Sequence, residues 1–75
     1  MLITMMTDQK NAKYEIRLSN LPDGAYTEDY LGHSRYCETR KEADAVVRQF
    51  EASKKARPSD FETESGDMTA QIVGL

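Results

Sequence analysis

The chain has one cysteine, one histidine and no tryptophan in 75 residues. Each scarcity excludes something. A lone Cys37 cannot close an internal disulfide, and an unstapled chain this short is unusual among small secreted proteins, so a cytoplasmic location is expected. No zinc-ligand spacing, phosphate-binding glycine loop or nucleophile elbow occurs, and neither a metal nor a cofactor is expected. No stretch approaches the ~20 apolar residues of a membrane span. Met1 to Met6 is apolar but too short for a signal-peptide core and lacks a basic leader, while Met5 and Met6 are alternative starts. Leu, Ile, Val and Phe together number only thirteen. The net charge of -3 is small enough for a folded chain, and four tyrosines add bulk.

A chain of this length makes one domain, burying roughly 60–65% of the surface its unfolded form exposes. We place a flexible segment at residues 1–12 and a single domain at 13–75. From Lys13 to Ser19 the sequence alternates, with Tyr14, Ile16 and Leu18 on one face and Glu15 and Arg17 on the other, which predicts a strand. Leu21-Pro22-Asp23-Gly24 follows as a β-turn with Pro in its second position. A second strand is expected through Tyr26 to Leu31, and a short third one from Ser34 to Glu38.

The best-marked element is a helix from about Arg40 to Lys54. Thr39-Arg40-Lys41-Glu42 reads as a capping box, and Pro58 stops the chain beyond Arg57. Ala43, Val46, Val47 and Phe50 recur at helical spacing, while Lys41, Asp44, Arg48 and Glu51 face water. Phe61–Glu64 and Met68–Val73 then read as two strands of a hairpin through Ser65-Gly66-Asp67, with Met68, Ala70 and Ile72 inward. The fold class expected is α+β: an antiparallel sheet of three to five strands with one helix on one face, in the order β-β-(β)-α-β-β.

Asp29, His33 and Cys37 are spaced four apart and would share one face of a helix. The expected turn and strand would instead separate successive members by about 13 Å. Neither nucleophilic catalysis nor metal binding is therefore expected there, and the chain reads as a non-enzyme. Carboxylates are plentiful, but a domain this small seldom encloses the cleft that would drive two of their pKa values apart.

Charge is zoned along the chain. Residues 1–34 hold three basic and five acidic side chains, residues 35–58 seven and four, and residues 59–75 none and four. Asp60, Glu62 and Glu64 sit two apart, so a strand would project them from one face at about 6.6 Å intervals. Asp23, Glu28 and Asp29 extend that row if the two hairpins lie side by side. The row has the spacing and sign of a nucleic-acid backbone, as does any polar strand face. Arg35, Arg40, Lys41, Arg48, Lys54, Lys55 and Arg57 form the opposing candidate, diluted by Glu38, Glu42, Asp44 and Glu51. With a pI near 5.0 the chain carries less positive charge than nucleic-acid binders usually do. Tyr26, Tyr30 and Tyr36 are interface-anchor or core candidates. The expected partner-binding set is Asp23, Glu28, Asp29, Tyr30, Asp60, Glu62 and Glu64, and the expected partner is a protein with a basic surface. The chain itself is expected to be a monomer or weak homodimer.

In size and character the chain resembles the small phage-encoded inhibitors grouped as anti-CRISPRs, which are short, acidic, compact α+β proteins without a catalytic set. That class shares no motif, so no residue role is carried over from it. The resemblance implies a stoichiometric inhibitor in the host cytoplasm that docks on a CRISPR surveillance complex and blocks target-DNA binding, often as a DNA mimic. The alternatives are a small nucleic-acid-binding regulator using the basic helix face and a structural or assembly subunit.

Overall fold

The computed structural model describes residues 11–75. The expected flexible segment, up to residue 10, lies outside the described residues. The alternating stretch forms strand β1 (Tyr14–Ser19), which becomes the centre of a three-stranded antiparallel sheet in the order β2-β1-β5. On one side it pairs with the two residues of β2 (Tyr36–Cys37). On the other it pairs along its whole length with β5 (Thr69–Gly74), Ile16 lying opposite Ile72 and Leu18 opposite Ala70.

Helix α2 (Arg40–Ala56) covers one face of this sheet. Its start is set by Thr39, whose Oγ1 accepts the Glu42 backbone N–H at 3.1 Å. The reciprocal half of the capping box does not form. The Glu42 carboxylate instead lies 3.2 Å from the Thr39 hydroxyl and accepts its proton. The helix ends two residues before Pro58, with the Arg57 N–H closing back on Ser53 O. Ala43 and Phe50 are buried and Val46 and Val47 half-buried, as the spacing predicts.

Two contiguous clusters make the core. Ile16, Cys37 and Ala43 form one, beneath Val47 and Ile72. Phe50, Phe61 and Met68 form the other, with the Phe50 and Phe61 rings edge to face at 5.3 Å and Tyr30 against Phe61 at 5.9 Å. Each fully buried large side chain contributes about 1.5–3 kcal/mol by leaving water.

The α+β class and the antiparallel pairing hold, but a single sheet with a single helix does not. The expected strand from Tyr26 to Leu31 is the short helix α1 (Thr27–Leu31), followed by a 3-10 turn over Gly32–Arg35. One helical turn there buries Thr27 and brings Leu31 and Tyr30 onto the core. Asp29 fixes the entry by accepting the Tyr26 backbone N–H at 2.8 Å. The β-turn is shifted one residue: the Ala25 N–H reaches Pro22 O, so Gly24, at φ 82°, takes the third position, which demands a positive φ.

The expected terminal hairpin is also rearranged. Asp60 and Phe61 lie in a 3-10 turn (Pro58–Phe61), and β3 (Glu62–Thr63) pairs only with β4 (Gly66–Asp67), making a separate two-stranded ribbon. β5 is taken by β1 instead, because only there can Ile72 and Ala70 join the buried face of Ile16 and Leu18. No helix among the described residues is long and apolar enough to cross a membrane.

Candidate functional site

The β3–β4 ribbon is fastened to the end of β1 by polar bonds. Asn20 sits at φ 63°, a left-handed conformation that Asn adopts more readily than most residues. In that position its Nδ2 donates to Asp67 O at 2.9 Å. The Thr63 hydroxyl lies 2.8 Å from Asn20 O and 2.9 Å from Gly66 O, and accepts the Ser65 N–H in turn. These bonds set the ribbon against the Leu21–Gly24 turn, leaving an open groove of about 400 Å³ between them. Leu21, Pro22 and Asp23 line one side and Glu62 to Ser65 the other.

Three of the seven predicted partner-binding residues, Asp23, Glu62 and Glu64, therefore meet on one groove. They do so across forty positions of sequence, as side-by-side hairpins would have required. All three are exposed, and none forms a salt bridge with a described residue. Glu62 also borders a shallow depression that carries Lys54 and Lys55, so the acidic surface ends against the last turns of α2.

The remaining four do not extend the row. Glu28 and Asp29 sit on α1: the first accepts Arg35 Nη1 at 3.0 Å and the second is held by the Tyr26 N–H. Tyr30 lines a different cleft, between α1 and α2, together with Phe50 and Phe61. Asp60 leaves the Glu62 and Glu64 register because its backbone is a 3-10 turn, and it faces Arg57 at 3.8 Å. No strand projects Asp60, Glu62 and Glu64 together, since β3 stops at Thr63 and Glu64 lies in the connecting turn.

A second carboxylate site lies on the sheet face opposite α2, and it corrects the reading of Glu15 as solvent-facing. Glu15 is only 6% exposed. Arg35 donates to its Oε2 from Nη2 at 2.6 Å and Nε at 2.9 Å, and Arg17 Nε donates to Oε1 at 3.0 Å. Burial pushes the Glu15 carboxyl up, but the hydrogen bonds from Arg35 and Arg17 outweigh it and hold the group below the ordinary range. Arg35 is raised in turn, chiefly by its bond to Glu15, and its guanidinium stacks 5.2 Å from the Tyr36 ring centre. No sequence signal pairs Glu15 with an arginine twenty residues away, so local alternation alone sent it to water.

Asp29, His33 and Cys37 form no common site. Cys37 is buried, its thiol donating to Ser34 O at 3.4 Å, and burial together with the charge of Glu42 pushes it up. A raised thiol is a poor nucleophile near neutral pH. His33 is exposed on the 3-10 turn. Among the described residues no group of three His, Cys, Asp or Glu side chains is placed to hold a metal ion. The basic candidates are partly spent as well: Arg35 on Glu15 and Glu28, Arg40 on Asp44, and Arg57 on Asp60.

No family model matches the chain, and no curated protein or solved structure matches it.

Proposed function

We propose that this chain is a non-enzymatic binding protein that docks on a basic protein surface through the Asp23, Glu62 and Glu64 groove. The observation that supports it most is the contrast in compensation. Every carboxylate of the Glu15 network has an arginine, whereas the three in the groove have no ion-pair partner among the described residues. Opposite charge on a partner would complete them, steering encounter and fixing orientation. Leu21 and Pro22 supply apolar wall beside the charges, as a mixed docking surface requires.

A surface of this kind suits a stoichiometric inhibitor that occupies a nucleic-acid channel, including that of a CRISPR surveillance complex. The test is capture from host lysate on immobilised parent, beside a variant carrying Asp23→Lys, Glu62→Lys and Glu64→Lys, with retained proteins identified by mass. A partner held by the parent at low salt, released as salt rises and lost by the variant, is the expected result. Equal capture by parent and folded variant overturns the groove as the docking site. Loss instead on reversal of Arg48 and Lys55, with nucleic acid recovered, assigns the chain to the nucleic-acid binders.

A further inference from the structure

Among the described strands, β5 is paired on one side only. Its inner side meets β1, and Leu75 N–H bonds to Lys13 O at 2.9 Å. Peptide groups alternate in direction along a strand, so those of Ala70, Ile72 and Gly74 point outward. Met68, just before the strand and in the same phase, gives its N–H to Phe61 O at 2.9 Å. No described strand pairs with the edge beyond it.

The chemistry of this edge is unlike the rest of the chain. Met68 to Leu75 is the longest stretch of the sequence without a charged side chain, and it contains no proline. Sheet edges are ordinarily blunted by lysine, proline, a bulge or brevity. The opposite edge, β2, has the last of these protections, being two residues long. β5 runs six residues without any of them and ends beside Leu75, which is 61% exposed.

We infer that the outer edge of β5 pairs antiparallel with the same strand of a second copy of this chain, making a continuous six-stranded sheet across a two-fold axis. A second copy fits for a specific reason. Two acidic chains of net charge -3 repel, and this uncharged run lets their backbones approach without setting like charges opposite one another. The outward phase centres the axis on Ile72, with Ala70 opposite Gly74 of the partner copy, so every outward peptide group finds a reciprocal bond. On the helix side the two Ile72 side chains then meet and extend the cluster around Ile16. None of Asp23, Glu62 or Glu64 lies on the strand itself.

Sedimentation equilibrium of the full chain over a wide concentration range tests this, beside two variants checked for folding by circular dichroism. Gln71→Lys sets like charges diagonally across the axis from an exposed position. Ala70→Pro removes one outward donor, a change tolerated at an edge. A concentration-dependent dimer weakened at least tenfold by either folded variant, with slow amide exchange at Ala70, Ile72 and Gly74 that quickens on dilution, is expected. A monomer at every concentration overturns the inference, as does a dimer indifferent to both variants. Protection of those three amides in a monomer also overturns it and assigns the edge to another segment of the same chain. Groove binding does not enter these readouts, so either idea can fail alone.

Discussion

Two sets of carboxylates in this molecule have opposite circumstances. Glu15 is buried on the sheet and held by Arg35 and Arg17, with Glu28 joined through the same Arg35. Asp23, Glu62 and Glu64 stand exposed around a groove with no ion-pair partner among the described residues. The first set serves the fold, because the charge would be costly without its arginines. The second set makes no such contribution, and its like charges repel one another weakly across water. The lesson is that net charge and spacing, which count all acids alike, do not separate structural from available groups. Compensation by a distant partner does.

The contrast can be sharpened by experiment. The scale is set by Phe50→Ala, which removes a ring packed edge-on to Phe61 and is expected to cost about 3–5 kcal/mol. An unchanged denaturation midpoint would disprove the packing of α2 on the second cluster. Next comes Arg35→Ala, which strips Glu15 of its main partner. We expect a loss of about 1.5–3 kcal/mol, the range for hydrogen bonds to charged groups, and urea denaturation reads it. Arg35→Lys should recover only part, since one ammonium cannot reproduce a guanidinium fork spanning Glu15 and Glu28.

Acid separates the two sets further. The folded pKa of Glu15 is depressed, so its contribution is complete above its unfolded value of about 4.3 and is lost as pH falls through the lower folded value. The stability difference between parent and Glu15→Gln should therefore be flat from neutrality to about pH 5 and shrink below pH 4. A difference that persists unchanged into strong acid would show that the carboxylate charge is not what stabilises the site. The smallest effect is expected for the groove. Asp23, Glu62 and Glu64 changed to Lys together should move stability by no more than about 0.5 kcal/mol per site, as ordinary surface substitutions do. A large loss would place them with Glu15 as parts of the fold.

Much of the fold was legible in the sequence. β1 could be read from strict alternation, α2 from Thr39, its apolar spacing and Pro58, and the inward side of β5 from Met68, Ala70 and Ile72. α1 could not, because a single turn is too short to display a period, and Tyr26 and Tyr30 favour a strand locally. Asp29 makes the turn by capping Tyr26, a bond between residues whose types do not announce a helix start. Of the candidate site, Asp23, Glu62 and Glu64 were reachable from charge segregation. Asn20 and Thr63, which set the ribbon against the turn, were not, since their bonds join residues some forty positions apart.

The pairing of β1 with β5 also governs how the chain acquires its structure. Tyr14 lies opposite Gly74 and Ser19 opposite Thr69, so the central sheet joins nearly the first and last described residues. High contact order of this kind slows folding, because a long loop must close before any contact within the sheet compensates for it. On the ribosome β1 emerges before its partner β5, with the 17 residues of α2 between them. The sheet cannot close until residues 69–74 have left the exit tunnel, so the emergence of β5 is the step that commits the domain to its topology.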